Sequence, residues 1–479
     1  IYNLEAGRHS RLTAYVAANT LRIDDHAPHF WRTHDGGKTW TEINTGIATN
    51  YPANSIREDP RVKGLLYAAT DAQVWVSYDD GNHWQSLRHN MPAISVREIK
   101  VKDDSICQCA DLVAGTHGRG FWILDNLTPI RQAAEIARSA AARSAYLVTP
   151  SPALRIRFGT NEPTPLPPEM PGGQNPMPGA ILDYFLPHTA GDVLLEILDA
   201  KGVVVRTYSS KDPVVTPHPA LDRVAYEKIC QQNVSATFCG LPLYWPAAPV
   251  IFGVNAGMHR VAWDMRLQPL PVDDVNAAGD VNATGAVPGR ATLGETSPWA
   301  PPGKYTVRLT VDGKATTQPL TVKLDPRVKT PAPALAQLNT LTRAMWDGAM
   351  AARAAFADAR ALSAKLESVT GSEAAAFKAT VDSVAPAPVR GARGRGFGGR
   401  FGAPAGPATL ASVSGTLMSA AMAMQGAEVA PTARQVAACT TASAQLADVL
   451  KRWTALKTTG LAGLNAKLKT AGQPVVTLP

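Results

Sequence analysis

HFWRTHDGGKTWTEI, residues 29–43, and QVWVSYDDGNHWQSL, residues 73–87, decide the reading of this chain. Each is an apolar strand, a tight polar turn and a second strand. The turns share the pattern Ser/Thr-x-Asp-x-Gly-x-Thr-Trp. Thr33, Asp35, Gly37, Thr39 and Trp40 match it throughout; Ser77, Asp79, Gly81 and Trp84 match it in the second copy, with His83 in place of Thr. The chemistry this pattern asks for is structural. An Asp carboxylate accepts turn amides, Gly reaches positive φ, and Trp covers the turn with apolar area.

Outward from these turns the unit repeats. TAYVAA (13–18) precedes the first hairpin and LLYAAT (65–70) the second, and Trp40 and Trp84 stand 44 residues apart. That spacing falls within the roughly 40 to 50 residues of a four-stranded propeller blade. ISVREIKV and DLVAGTHGRGFWILDNLTPIRQ add three further strand candidates without the turn motif. Residues 1–128 therefore read as about two and a half blades. A closed propeller takes roughly four to eight, so further blades are expected elsewhere, with a signal peptide upstream of Ile1.

The turn motif is the Asp box. The segments YVAANTLRIDDHAPHFWRTHDGGKTW, REDPRVKGLLYAATDAQVWVSYDDGNHWQSL and GTHGRGFWILDNLTPIRQ resemble the last blades of bacterial sortilin-like, Asp-box (BNR) repeat proteins labelled glycosyl hydrolases. AILDYFLP, VLLEILDAKGVVVRTYSS, GMHRVAWDMR and PPGKYTVRLTVDGKATTQPLTVKLDPRV are similar to the β-sandwich that follows the propeller in that family. The resemblance covers roughly residues 1–330. It implies an extracellular or periplasmic protein that acts on or binds glycans, or a noncatalytic peptide or glycan receptor of the sortilin type.

The remaining chain divides by composition. Residues 129–144 read as a linker. Residues 145–328 carry hairpins around Ala200–Gly202 and Asp312–Gly313, the signature of an Ig/fibronectin-like sandwich, with long Pro/Gly-rich loops at 161–180 and beyond Pro271. From 329 to 479 Ala, Leu, Gln and Arg recur at helical spacing, through Leu335, Leu338, Leu341, Met345, Phe356 and Leu366. Helices are expected at 332–368, 373–383, 408–427, 432–457 and 460–470. They form a small bundle suited to docking or assembly, interrupted by a Gly/Arg/Pro linker at about 385–407. The fold class is thus mainly β with an α-helical C-terminal region.

Composition excludes several functions. With 47 Lys and Arg against 39 Asp and Glu the chain is basic, but the charges are dispersed, which argues against nucleic acid as a partner. RGARGRGFGGR (390–400) resembles an RNA-binding Arg/Gly segment, yet a solvated linker explains the same residues. No apolar run spans a bilayer. Cys230 and Cys239 are spaced to close a small disulfide loop, Cys107 and Cys109 suit neither a disulfide nor a zinc knuckle, and Cys439 reads as a buried small hydrophobe.

For glycoside cleavage two carboxylates must flank the bond, about 5 to 10 Å apart. Asp24, Asp25, Glu58, Asp59 and Asp71 are candidates, each equally a solvated loop residue or cap, and the catalytic pair is not identifiable. His26 and His29 beside Asp24 and Asp25 are the densest potential metal cluster, though loop hydrogen bonding accounts for them; Asp79, Asp80, Gly81 and Asn82 form only half a calcium loop. Neither metal nor cofactor is expected. The best binding candidates are His117 and Arg119 in the turn Thr116–Gly120, where an Arg fork could receive a carboxylate or sugar. The competing reading is a buried Arg that ties strands together.

Overall fold

A computed structural model describes residues 1–107, 109–156, 167, 169–170, 172–173, 176–177, 179–212, 223–232, 252–269, 297–387 and 407–478. Within these the chain is mainly β with an α-helical C-terminal region. Cys239, the Arg/Gly segment 390–400 and most of the Pro-rich loops lie outside the described residues.

The two quoted repeats build two successive antiparallel sheets of identical order. The first is β1 (Asn3–Ala6), β2 (Ala14–Ala18), β3 (His29–Thr33) and β4 (Thr41–Glu42); the second is β5 (Ala53–Glu58), β6 (Leu66–Thr70), β7 (Val74–Ser77) and β8 (Gln85–Ser86). A third sheet has only β9 (Val96–Asp103), β10 (Ala110–Thr116) and β11 (Phe121–Leu124). β6 and β7 are buried throughout, with Leu66, Ala68 and Trp75 facing the first sheet's core and Tyr67, Ala69 and Val76 facing the third. A sheet buried on both faces needs continuous apolar strands, which is what LYAAT and VWVS supply.

The motif turns lock as their chemistry demands. Asp35 accepts from Thr39 N (2.9 Å) and Thr39 Oγ1 (2.7 Å), while Gly37 N donates to Thr33 Oγ1 (3.0 Å). The second turn repeats this, His83 N and Nδ1 taking the place of Thr39 at 2.9 and 2.6 Å from Asp79. Gly81 has φ 90°, and a Cβ there would meet Ile43 at 2.6 Å, so the turn is pressed against the first sheet. Trp84 does the covering. It is 4% exposed, packs on Phe30 and donates to Ile43 O at 2.6 Å. Trp40 differs from its counterpart, being 40% exposed, because no described residue supplies it a sheet to lie against.

Residues 129–144, read as a linker, hold two helices, α1 (Thr128–Arg131) and α2 (Ala133–Ala141). α1 is pinned by Arg131, which donates to the fully buried Asp59 at 3.0 Å. Beyond them β12 (Tyr146–Leu147), β13 (Ala153–Arg155), β14 (Ala180–Leu186), β15 (Val193–Leu198), β16 (Val204–Ser209), the helix α3 (Arg223–Gln232), β17 (Gly257–Trp263), β18 (Gly303–Val311) and β19 (Lys314–Leu324) follow. They form a three-stranded sheet, β12-β14-β17, and a five-stranded one, β13-β19-β18-β15-β16. Both predicted hairpins are present, β15–β16 and β18–β19. β13 runs parallel to β19, a pairing no local pattern announces.

The helices α4 (Ala332–Glu367), α5 (Ser372–Val384), α6 (Leu410–Ala423), α7 (Ala433–Ala455) and α8 (Leu461–Thr470) fall close to the expected boundaries. Thr409 and Thr432 start α6 and α7 with capping boxes. Their core is continuous with that of the two preceding sheets, Leu195, Trp263 and Val307 belonging to the same cluster as Trp346, Leu417 and Trp453. Trp346 Nε1 donates to Gln268 O (2.8 Å), and the buried Arg155 donates to Glu428 (2.6 Å).

The cysteines correct one expectation. Cys107 and Cys109 form a disulfide, their Cα atoms 5.1 Å apart, inside the ordinary range because the loop between β9 and β10 folds back on itself. Cys230 is disulfide-bonded, and Cys439 is free and buried as read.

Candidate functional site: the turn face of the three sheets

The turns β2–β3, β6–β7 and β10–β11 are equivalent positions of three successive antiparallel sheets. They carry Asp24 and Asp25, Asp71, and His117 and Arg119 respectively. A hydrogen-bond chain runs through them. Thr20 Oγ1 donates to Asp25 O (3.0 Å), and Leu21 N to Asn19 Oδ1 (3.1 Å). Asn19 Nδ2 donates to Asn54 Oδ1 (2.8 Å), and Asn54 Nδ2 to Asp71 Oδ1 (2.8 Å). Ser95 Oγ reaches the same Asp71 oxygen (2.5 Å), and Ser95 O accepts from His117 N (2.9 Å). Asn54 is fully buried and also donates to Val96 O at 3.0 Å, so the amide is satisfied on both sides.

Asp24 and Asp25 do different things. Asp24 is exposed in the left-handed region at φ 61° and lies 3.4 Å from His26 Nε2. Asp25 caps Ala27 N (3.0 Å) and binds His29 Nε2 (2.7 Å), while His29 Nδ1 reaches Glu42 at 3.1 Å. The two histidines thus serve two separate carboxylate partners, and among the described residues no group of three or more His, Cys, Asp or Glu gathers as for a metal. The Ala27 amide and His29 hold the Asp25 carboxyl below its usual range. Burial opposes charge on His29, but Asp25 and Glu42 prevail and its pKa rises.

His117 and Arg119 sit on a turn opened by a register shift at Gly115/Thr116 and shaped by Gly118 (φ 97°) and Gly120 (φ 65°). Thr116 Oγ1 donates to Gly120 O (2.7 Å) and accepts from Arg119 N (3.2 Å), fixing the loop from within. Both side chains are exposed, and among the described residues neither has a hydrogen-bond or ion-pair partner. The reading of Arg119 as a buried strand tie is therefore corrected. Phe121 beside it is 83% exposed.

Two other candidates are structural. Asp59 is fully buried, accepting from Arg61 N (2.8 Å), Val62 N (3.0 Å), Tyr67 OH (3.2 Å) and Arg131 Nε (3.0 Å). Glu58 accepts from Arg8 N at 2.6 Å. Sequence reading passed over a second feature, a cleft of about 500 Å³ lined by Glu5, Arg8, Arg57, Glu58, Lys100 and Asp103. Its signal was available: the first strand of each repeat carries charge (NLEA, SIRE, REIK) where a core strand would not. Arg57 there bonds Asn3 Oδ1 (2.8 Å), Ile99 O (3.1 Å) and Glu98 (2.5 Å), so its charges cross-link the three sheets. Burial raises the carboxyl pKa of Asp125 and Asp183, which lie at the start of the turn before α1 and on β14, away from the turn face.

No protein-family model matches the chain, and no curated protein matches it in sequence. Among solved structures it is similar to a GH74 enzyme of Niastella koreensis, at 12% identity over 44% of this chain and 30% of that one, TM-score 0.22. It is also similar to an ancestral GH74 enzyme, at 13% identity over 43% and 26%, TM-score 0.18. The chain thus spans less than a third of either enzyme, and likenesses this slight assign neither fold nor activity.

Proposed function

We infer that residues 1–128 are blades of an Asp-box β-propeller whose turn face binds a glycan without cleaving it, carried on an Ig/fibronectin-like sandwich and a helical bundle. The observation that carries this reading is the glycine-shaped turn that exposes His117 and Arg119 with their polar groups unspent. A planar guanidinium and an imidazole match sugar hydroxyls or a uronate carboxylate, and the exposed Phe121 ring offers a stacking surface beside them. Asp71, held in place by Asn54 and Ser95, supplies a fixed acceptor on the same face. The Cys107–Cys109 disulfide supports an oxidising compartment, extracellular or periplasmic. Peptide binding is the alternative that the same Arg would serve.

Calorimetry against a panel of plant and bacterial polysaccharides, with uronate-bearing and neutral members, tests the reading. Saturable binding that Arg119→Ala weakens by about tenfold or more, with no reducing ends released, is expected. Release of reducing ends would replace binding by hydrolysis. Absence of binding to every glycan, with binding of a peptide library, would replace the ligand class.

A further inference from the structure

We propose that the Cys107–Cys109 disulfide is an exchangeable redox site that oxidises small thiols, the Cys109 sulfur being attacked and the Cys107 sulfur leaving. The bond spans a single intervening residue. A disulfide that holds a fold together does so by closing a long loop of the unfolded chain. In the chain-entropy description a three-residue loop favours the native bond by only about twentyfold, against about three-thousandfold for a hundred-residue loop. The fold therefore does little to keep this bond closed.

The turn between β9 and β10 also stands without it. Asp104 N donates to Cys109 O (2.9 Å), and Asp104 Oδ1 accepts from Ile106 N (2.7 Å) and Cys107 N (3.2 Å). One residue earlier, Asp103 is held by Arg61 at 2.7 and 2.9 Å and by Arg131 at 3.4 Å. Lys323 on β19 donates from its ammonium to Ile106 O. None of these bonds passes through sulfur, so opening the bridge leaves β9 and β10 paired and costs the fold little.

The two sulfurs are not equivalent. Cys107 is 6% exposed, whereas Cys109 is partly exposed, so an incoming thiolate reaches Cys109. The Cys109 amide donates to Cys107 Sγ at 3.4 Å, and the Lys323 ammonium binds the carbonyl of the residue before Cys107. Negative charge arriving on Cys107 is thus met by a donor with a cation close by, which makes it the better leaving group. In the first step the substrate thiolate bonds to Cys109 Sγ, the Cys107–Cys109 bond breaks and Cys107 departs as thiolate. A second thiolate then attacks the substrate sulfur of this mixed disulfide and releases Cys109. Two thiols become one disulfide, and two electrons and two protons pass to the cysteine pair. A recessed Cys107 and a partly covered Cys109 suit a small thiol rather than a folded protein.

Glutathione provides the probe. The intact protein is equilibrated in mixtures of reduced and oxidised glutathione, in native buffer and in urea, then quenched with acid, alkylated and peptide-mapped. The pair is expected to be a disulfide in air, and its equilibrium constant with glutathione should differ between native and unfolded protein by no more than about twentyfold. The mixed disulfide trapped on the way should carry glutathione on Cys109 and the alkyl label on Cys107. The Cys107→Ser/Cys109→Ser double variant should melt within about 5 °C of the parent. Free thiols in air, a native bond that resists glutathione about a hundredfold or more beyond the unfolded one, an adduct on Cys107, or a melting temperature that falls further in the double variant would each overturn the proposal. None of these results bears on Arg119 and glycans, so the two readings fail separately.

Discussion

His83 holds Asp79 with its backbone N–H and its ring, the same two bonds that Thr39 gives Asp35 with its backbone and hydroxyl. The substitution that makes the second motif degenerate in sequence is silent in geometry. His83→Thr should therefore leave the melting temperature within about 2 °C, whereas Asp79→Ala, which orphans the turn amide and Ser77, should lower stability by about 1 to 2 kcal/mol. Urea unfolding of both variants checks this.

Two carboxylates, Asp35 in the first motif turn and Asp325 just beyond β19, make the protein acid-sensitive in a defined window. The Thr39 amide and hydroxyl pull the Asp35 carboxyl down to about 2, and the Arg327 side chain and amide do the same for Asp325. A depressed carboxyl stabilises the fold fully above its unfolded value of about 3.9 and loses that contribution as pH falls toward 2. The gap in melting temperature between the parent and Asp35→Asn should be widest near neutral pH and close by pH 2.

His29 works in the opposite sense. Its raised pKa means that the Asp25–His29–Glu42 bridge stabilises most below the unfolded histidine value of about 6.5 and fades as pH rises through the folded one. His29→Gln should destabilise at pH 5.5 and be close to neutral at pH 8.5. Differential scanning calorimetry at the two pH values reads the difference.

Asp59 carries four bonds and no exposure, so Asp59→Ala orphans the Arg61 and Val62 amides and leaves the Arg131 guanidinium with Asp103 (3.4 Å) as its remaining carboxylate beside a cavity. A loss of about 3 kcal/mol is expected, with α1 and the third sheet loosened first. Hydrogen exchange of residues 96–131 would show it.

Legibility followed the range of the interactions. The Asp-box hairpins, the two later hairpins and the five C-terminal helices were written in local signals: turn residues, alternation, capping Thr409 and Thr432. What escaped needed distant partners. Helices α1 and α2 looked like a linker because α1 is held by a buried Asp on another sheet, and the parallel β13–β19 pair joins residues far apart in sequence. The Cys107–Cys109 bond was missed because a gap of two says nothing about a loop that doubles back. The site residues were found as types, but their alignment on one face came from Asn19 and Asn54, neutral amides that no charge pattern marks.

The shared core of the later sheets and helices has a consequence for how the molecule is made. Arg155 on β13 finds Glu428 only across 273 residues of chain, and β13 itself waits for β19 before it has a neighbour. Contacts of such long sequence separation form late and slowly. During synthesis, then, β13 stays an unmatched strand until the ribosome has delivered most of the chain, and the segment that follows α6 acts as the closing step of a sheet begun long before it.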